Sequence, residues 1–222
     1  MNKIIKVTGK GKLSVKPDLV RLMIDLKDMR ENYEETLEQS ATQVGILKDC
    51  IVKLGFDKSD LKTIRFNVDT KYEGYQDENH NWKNKFVGYE FMHSMKLEFD
   101  VDNRRLGQLL YALSHLDIHP ELHMEYTIRD VEAAKKELLA KAVADSKEKA
   151  KVLSEAAGVA LGDIVTIDYS WDEIAFKTMP MDRCVTLAKS AGGASNGCYD
   201  IDIEADDIKV SDTVTVVWEI KG

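Results

Sequence analysis

No run of apolar residues in this chain approaches the ~18 that a bilayer-spanning helix needs, so a transmembrane segment is not expected. Only three prolines interrupt 222 residues, which leaves room for long helices and strands. An excess of positive charge is missing too. The net charge is −8 and the pI near 5.2, and both argue against a nucleic-acid partner. Three cysteines, Cys50, Cys184 and Cys198, make an odd number without metal-type spacing. Cys50 lies in a helical pattern and reads as a small buried apolar residue. Cys184 and Cys198 flank a loop and could pair in an oxidising compartment, reduced thiols being the default. The opening MNKIIKVTGKG enters a strand pattern directly, without the apolar core or cleavage site of a secretory signal. The location expected from that is cytoplasmic.

What is present is the composition of a soluble globular protein, 44% hydrophobic and 32% charged. The length suits a single domain over 1–222, or two intimately packed lobes. Its dominant element is Arg129 to Gly158. Val131, Ala134, Leu138, Ala142, Ala150, Leu153 and Ala157 recur at helical spacing, with Ser146 in the remaining place. Asp130 suits the N-cap and Gly158 the C-terminal end. Such a rod is roughly 40 Å long, with an alanine-rich stripe that allows close packing on a sheet or another subunit.

Before it, residues 3 to 27 alternate as two strands around Lys16-Pro17-Asp18. Gly9 and Gly11 share one face, which points to a bend or a close backbone approach. They do not make a phosphate cradle, because no helix start follows them. Residues 32 to 55 read as a helix with Asn32 and Glu35 in capping-box positions. Its expected buried stripe is Tyr33, Leu37, Val44, Leu47, Ile51 and Leu54. A long β-ribbon follows, with Ile64 to Tyr72 opposite Val87 to Val101 and a polar tip, EGYQDENHNWKNK, between them. Roughly 50 Å of strand is far more than usual. His93 is the one polar group on the apolar face and is expected to be a core histidine held by a hydrogen bond. After a short helix capped by Asp102 or Asn103, residues 119 to 128 read as a strand. A strand from Ile164 to Trp171 and a terminal one from Val210 to Ile220 complete an α+β fold, an antiparallel or mixed sheet with helices on one side. Residues 172–207 form an irregular arm or insertion.

Candidate chemistry is sparse. His115, His119 and His123 with Glu121 look like a metal box, yet on a strand His119 and His123 stand roughly 13 Å apart. No metal or cofactor is therefore expected, and His119, Glu121 and His123 remain as candidates. Asp200, Asp202, Glu204 and Asp206 suggest calcium, but Ala205 and Ser211 occupy the positions of the EF-hand glycine and glutamate. An acidic edge strand is the better reading.

The opening IIKVTGKGKLSVKPDLVRLMIDL resembles the start of the SIMPL-domain (DUF541) family, a Val-x-Gly-x-Gly strand leading to Pro-Asp and an alternating strand. Leu54-Gly55 before Leu61-x-Thr63, the Tyr72 ribbon, Gly88-Tyr89 and AAGVALGDIVTI extend the resemblance over most of the chain outside 172–207. It implies a large ring- or channel-like homo-oligomer, a setting often periplasmic or exported, and links to oxidative-stress defence or signalling. The family carries no agreed catalytic residues, so none are assigned. Three readings follow. The first is a non-enzymatic self-assembling protein using the long elements. The second is a peptide-binding module adding a strand at the edge near Asp200 to Asp206. The third is a metal-dependent or small-molecule enzyme using His119, Glu121, His123 and Glu125.

Overall fold

The alternation over the first thirty residues becomes two twelve-residue strands, Ile4–Val15 (β1) and Leu19–Arg30 (β2). They do not pair with each other: β1 lies in a three-stranded sheet and β2 in a second sheet. The computed structural model describes residues 3–169, 174–179, 199 and 203–221. The remaining elements are Tyr33–Lys53 (α1), Lys62–Gln76 (β3), Trp82–Asp100 (β4), Asn103–Ser114 (α2), Glu121–Thr127 (β5), Val131–Ala156 (α3), Ala160–Asp168 (β6), Lys177–Thr178 (β7) and Ile208–Lys221 (β8). The fold is α+β, as expected. The chain divides into two compact units, one of residues 1–18, 127–178 and 205–222, the other of 19–126 and 179–204.

In the first unit the sheet order is β1-β8-β6, antiparallel throughout. Helix α3 lies on it and buries Ala134, Leu138, Ala142, Ser146, Ala150 and Ser154. That stripe repeats every four residues. The expected Leu153 and Ala157 are exposed, because Ser154 continues the period of four and they do not. The small side chains contribute little transfer energy each, about 0.8 kcal/mol per buried methylene. What they give is proximity. A Cβ on Gly9 would overlap the Ala142 carbonyl oxygen and the Ser146 backbone, and one on Gly11 would overlap the Leu138 carbonyl oxygen. The two glycines let the helix backbone rest directly on the strand. The Asp145 carboxylate accepts a hydrogen bond from the Lys10 backbone N–H at 2.6 Å, and Lys149 Nζ donates to the Thr8 carbonyl at 3.3 Å. Two apolar clusters complete the layer, one around Val7, Val216 and Trp218, the other around Leu13, Leu138 and Ile208.

In the second unit β3, β4, β2 and β5 follow in that order. Val20, Leu22, Ile24 and Leu26 of β2 stand in register with Phe99, Leu97, Met95 and His93 of β4, on the face that the helices cover. Helix α1 ends in a Schellman turn: Gly55, at φ 82°, donates to Val52, and Phe56 donates to Ile51. Gly158 and Val159 close α3 the same way. The capping box at Asn32 does not form, since its side chain donates to Glu35 Oε1 at 3.0 Å and makes no cap bond. Asp102 does cap α2, accepting from Arg104 and Arg105. Cys50 is a buried free thiol, and burial pushes its pKa up.

Gly9→Ala is expected to cost at least about 2 kcal/mol, because the added methyl meets rigid backbone. The control is Gly45→Ala in α1, where a Cβ meets nothing within 4 Å, and a gain of about 0.5–1 kcal/mol is expected. Urea unfolding of both variants checks the contrast.

Candidate functional site

The histidine-and-acid set foreseen around residues 115–125 is dispersed. His119 precedes β5 in a left-handed conformation, φ 41°, and Glu121 and His123 are exposed on the strand. Glu125 is drawn instead into an ion-pair network through Arg21, at 3.8 Å, which also binds Glu98 at 2.7 Å. Burial pushes the Glu98 carboxyl up, but Arg21 and Lys96 outweigh it and hold it below its ordinary value. His115 packs against Tyr111 and bonds its carbonyl through Nδ1 at 2.7 Å. Among the described residues no group of three or more His, Cys, Asp or Glu is placed to hold a metal ion. The acidic edge is not a strand over 203–207. Asp200, Asp202, Cys184 and Cys198 lie outside the described residues.

The polar chemistry of the second unit gathers elsewhere, between α1 and the sheet. The first half of α1 buries Thr36, Ser40 and Gln43, whereas the expected Tyr33 and Leu37 point to solvent. Asp28 on β2 explains the reversal. Its carboxylate accepts from Gln39 Nε2 and Gln43 Nε2, both at 3.1 Å, and from Arg30 Nη1 at 2.9 Å. Gln43 Oε1 is buried without a hydrogen-bond partner. Beside this cluster His93 joins three elements. Its Nδ1 lies 3.3 Å from Ser40 Oγ on α1, its Nε2 2.8 Å from Thr63 Oγ1, and its ring 4.9 Å from that of Phe66 on β3. It is hydrogen-bonded as expected, but it is half-buried and lies outside the fully buried core. Ser40 and His93 do not make a nucleophile pair of the usual kind: the far nitrogen meets a threonine rather than a carboxylate, and Ser40 is buried.

The feature that alternation did not disclose is an aromatic ladder. The β3–β4 pairing continues through the expected polar tip, from Lys62 opposite Lys96 to Gln76 opposite Trp82. The turn beyond it is held by Asp77, whose carboxylate accepts from Asn79 and Asn81 and pairs with Lys83 at 2.9 Å. A register shift leaves Val87 as the extra residue, with Lys71 opposite Gly88 and Tyr72 opposite Phe86. The bulge brings Phe86 and Tyr89, three apart, onto one face. There Tyr72 meets Phe86 at 5.7 Å, Phe86 meets Tyr89 at 5.2 Å, and Tyr89 meets Tyr33 of α1 at 5.4 Å. Trp82 lies alongside Gly74 nearer the tip. The ladder is open to solvent: Trp82 is 75% exposed, Tyr72 55% and Phe86 42%. The reverse face carries Lys71, paired to Glu90 at 3.3 Å, with Glu73 opposite Lys85.

Comparison with known proteins finds a family match over nearly the whole chain. A family profile described as SIMPL, "Protein of unknown function (DUF541)", matches residues 5–218. The chain is similar to the 26 kDa periplasmic immunogenic protein of Brucella melitensis, 27% identical over 98% of this chain and 84% of that protein. It is 26% identical to the protein of the same name from Brucella abortus, over the same shares.

Removing the anchor of the α1 polar layer tests its structural role. Asp28→Ala takes the acceptor from the Gln39 and Gln43 amides, while Arg30 Nη1 keeps the Met29 carbonyl, and is expected to cost about 1–2 kcal/mol in chemical denaturation.

Proposed function

The chain belongs to the SIMPL family of proteins of unknown function, and within it we propose a non-enzymatic, self-assembling protein whose copies meet through the aromatic face of the β3–β4 ribbon. The observation that carries this reading is the exposed ladder of Trp82, Tyr72 and Phe86 on a two-stranded ribbon. Soluble chains seldom leave contiguous aromatic surface in water unless it is an interaction site, and tyrosine and tryptophan are the residues that interfaces concentrate. A second copy is the occupant we favour on the chemistry of the face itself: the reverse face already pairs Lys71 and Lys27 with Glu90, and because each copy carries −8, the attraction between copies comes from the aromatic surface and not from net charge.

The two alternative readings have less to rest on. Strand addition at the acidic edge would need a strand where residues 203–207 have none. The enzyme reading would need His119, Glu121 and His123 to converge, and Glu121 and His123 face solvent. The relatives' names speak for a periplasmic setting. No helix among the described residues is long and apolar enough to cross a membrane.

Light scattering on a sizing column tests the proposal. The unaltered chain should elute as a discrete multiple of 25.1 kDa, and Trp82→Ser with Phe86→Ser should move it to the monomer while circular dichroism stays unchanged. A 25.1 kDa species at every concentration of the unaltered chain would overturn it.

A further inference from the structure

The aromatic face is one of two surfaces that the ribbon leaves open. β3 is the outermost strand of its sheet, so the outward N–H and C=O groups of every second residue have no ladder among the described residues. Such edges are usually guarded by a short strand, a proline, a bulge or charge. β3 runs for 15 residues, Lys62–Gln76, without a proline. Its own irregularity falls at Ile64, near one end, and the bulge at Val87 lies on β4. From Arg65 to Gln76 the open edge is an unbroken strand.

Charge is the remaining guard, and the order of the charges turns it into an attraction. Arg65, Asp69, Lys71 and Glu73 are exposed on the face away from the ladder, and their signs alternate along it. We propose that the outer edge of β3 is a pairing site for the β3 of a second copy, antiparallel and centred on Thr70. By symmetry that register sets Asp69 directly opposite Lys71 twice, and Arg65 diagonal to Glu73 twice. On the other face Val68 stands against Tyr72, a favourable β-branched and aromatic pair. Moving the centre by one residue sets Asp69 against Asp69, or Lys71 against Lys71. A parallel pairing in register sets every charge against its own kind. The sequence of the edge thus specifies both direction and register.

Within one chain these charges are left ready for such a neighbour. Asp69 faces Glu90 across the ladder, a destabilising pair of like charges. It accepts from the Asn67 amide, and no ion pair joins it to a cation among the described residues. Lys71 reaches Glu90 at 3.3 Å, and Lys27 reaches the same carboxylate at 3.6 Å. Lys71 can therefore turn to Asp69 of another copy without leaving Glu90 unpaired. Pairing of edges alone is marginal in water, and exposed ion pairs add little to it. The proposal thus rests on the self-assembly proposed above: the aromatic face supplies affinity, and the edge supplies register and a second neighbour. A copy that uses both surfaces meets two others, which carries the assembly beyond a dimer.

Charge exchange on the full chain tests the pairing. Asp69→Lys sets lysine against lysine across the edge, and Lys71→Asp sets aspartate against aspartate. The unaltered assembly should exceed two copies of 25.1 kDa, and each variant alone should fall to two. An equal mixture of the variants should regain the full mass, since each supplies the charge that the other lacks. Asp69→Lys also lowers the net negative charge, so its fall in mass would not come from overall repulsion. In a mixture of isotope-labelled and unlabelled unaltered chains, carbodiimide should join Lys71 of one copy to Asp69 of another. If a variant fails to fold, that cross-link decides the matter. Variants that keep the unaltered mass, a mixture that regains nothing, an unaltered assembly that stops at two copies, or an assembled chain without the cross-link would overturn the edge pairing and leave the aromatic contact standing. An unaltered chain of 25.1 kDa at every concentration would overturn both.

Discussion

The backbone of α3 can rest on β1 only because two side chains are absent. Gly9 and Gly11 open the strand just where Leu138, Ala142 and Ser146 bring the helix backbone closest. A single methyl at either glycine would meet a carbonyl oxygen, and backbone cannot step aside as a side-chain end can. The rest of the first unit follows from that contact. The four-residue stripe must be small, so Ala and Ser occupy it, and Asp145 and Lys149 come within reach of β1 backbone groups that would otherwise lie open. On this edge strand the Lys10 N–H and the Thr8 carbonyl are thereby bonded within the chain.

The second unit solves its helix–sheet contact in the opposite manner. One half of α1 packs through Leu47, Cys50 and Ile51, and the other through Asp28, Gln39, Gln43, Ser40 and His93. Polar packing specifies one alignment, because each group must find its partner. Beyond the helix the same sheet face runs on as an uncovered ribbon. The bulge at Val87 keeps Phe86, Tyr72 and Tyr89 together on it. Packing on one side and aromatic exposure on the other thus belong to one continuous surface.

Much of the fold was legible because the period was strong. Alternation placed β1, β2 and most of β4, and the helical spacing from Val131, with Asp130 and Gly158 at the ends, marked α3 within a residue or two. The paired glycines also spoke plainly, since two on one strand face signal close approach. The failures have physical causes. The apolar stripe that periodicity predicts for α1 is half polar in the fold, which needs Asp28 across the interface to explain it. The tip of the ribbon reads as loop because Glu, Asn and Lys crowd its aromatics, and only the pairing puts Trp82 and Phe86 on one face with Lys83 and Lys85 on the other. Phe86 and Tyr89 carried the one available hint: three-residue spacing of aromatics inside a strand implies a bulge if both are to share a face. The histidines near 119 were conspicuous in sequence and are dispersed in space.

The central claim is that the exposed aromatic face of the ribbon is a surface covered by another copy of the chain. Hydroxyl-radical footprinting across a dilution series addresses it most directly, because it reports the burial of individual rings. The account predicts that Tyr72, Trp82 and Phe86 are protected at high concentration and become reactive on dilution, while Tyr126, buried within the fold, stays protected throughout. Equal reactivity of the three ladder residues at every concentration would contradict it.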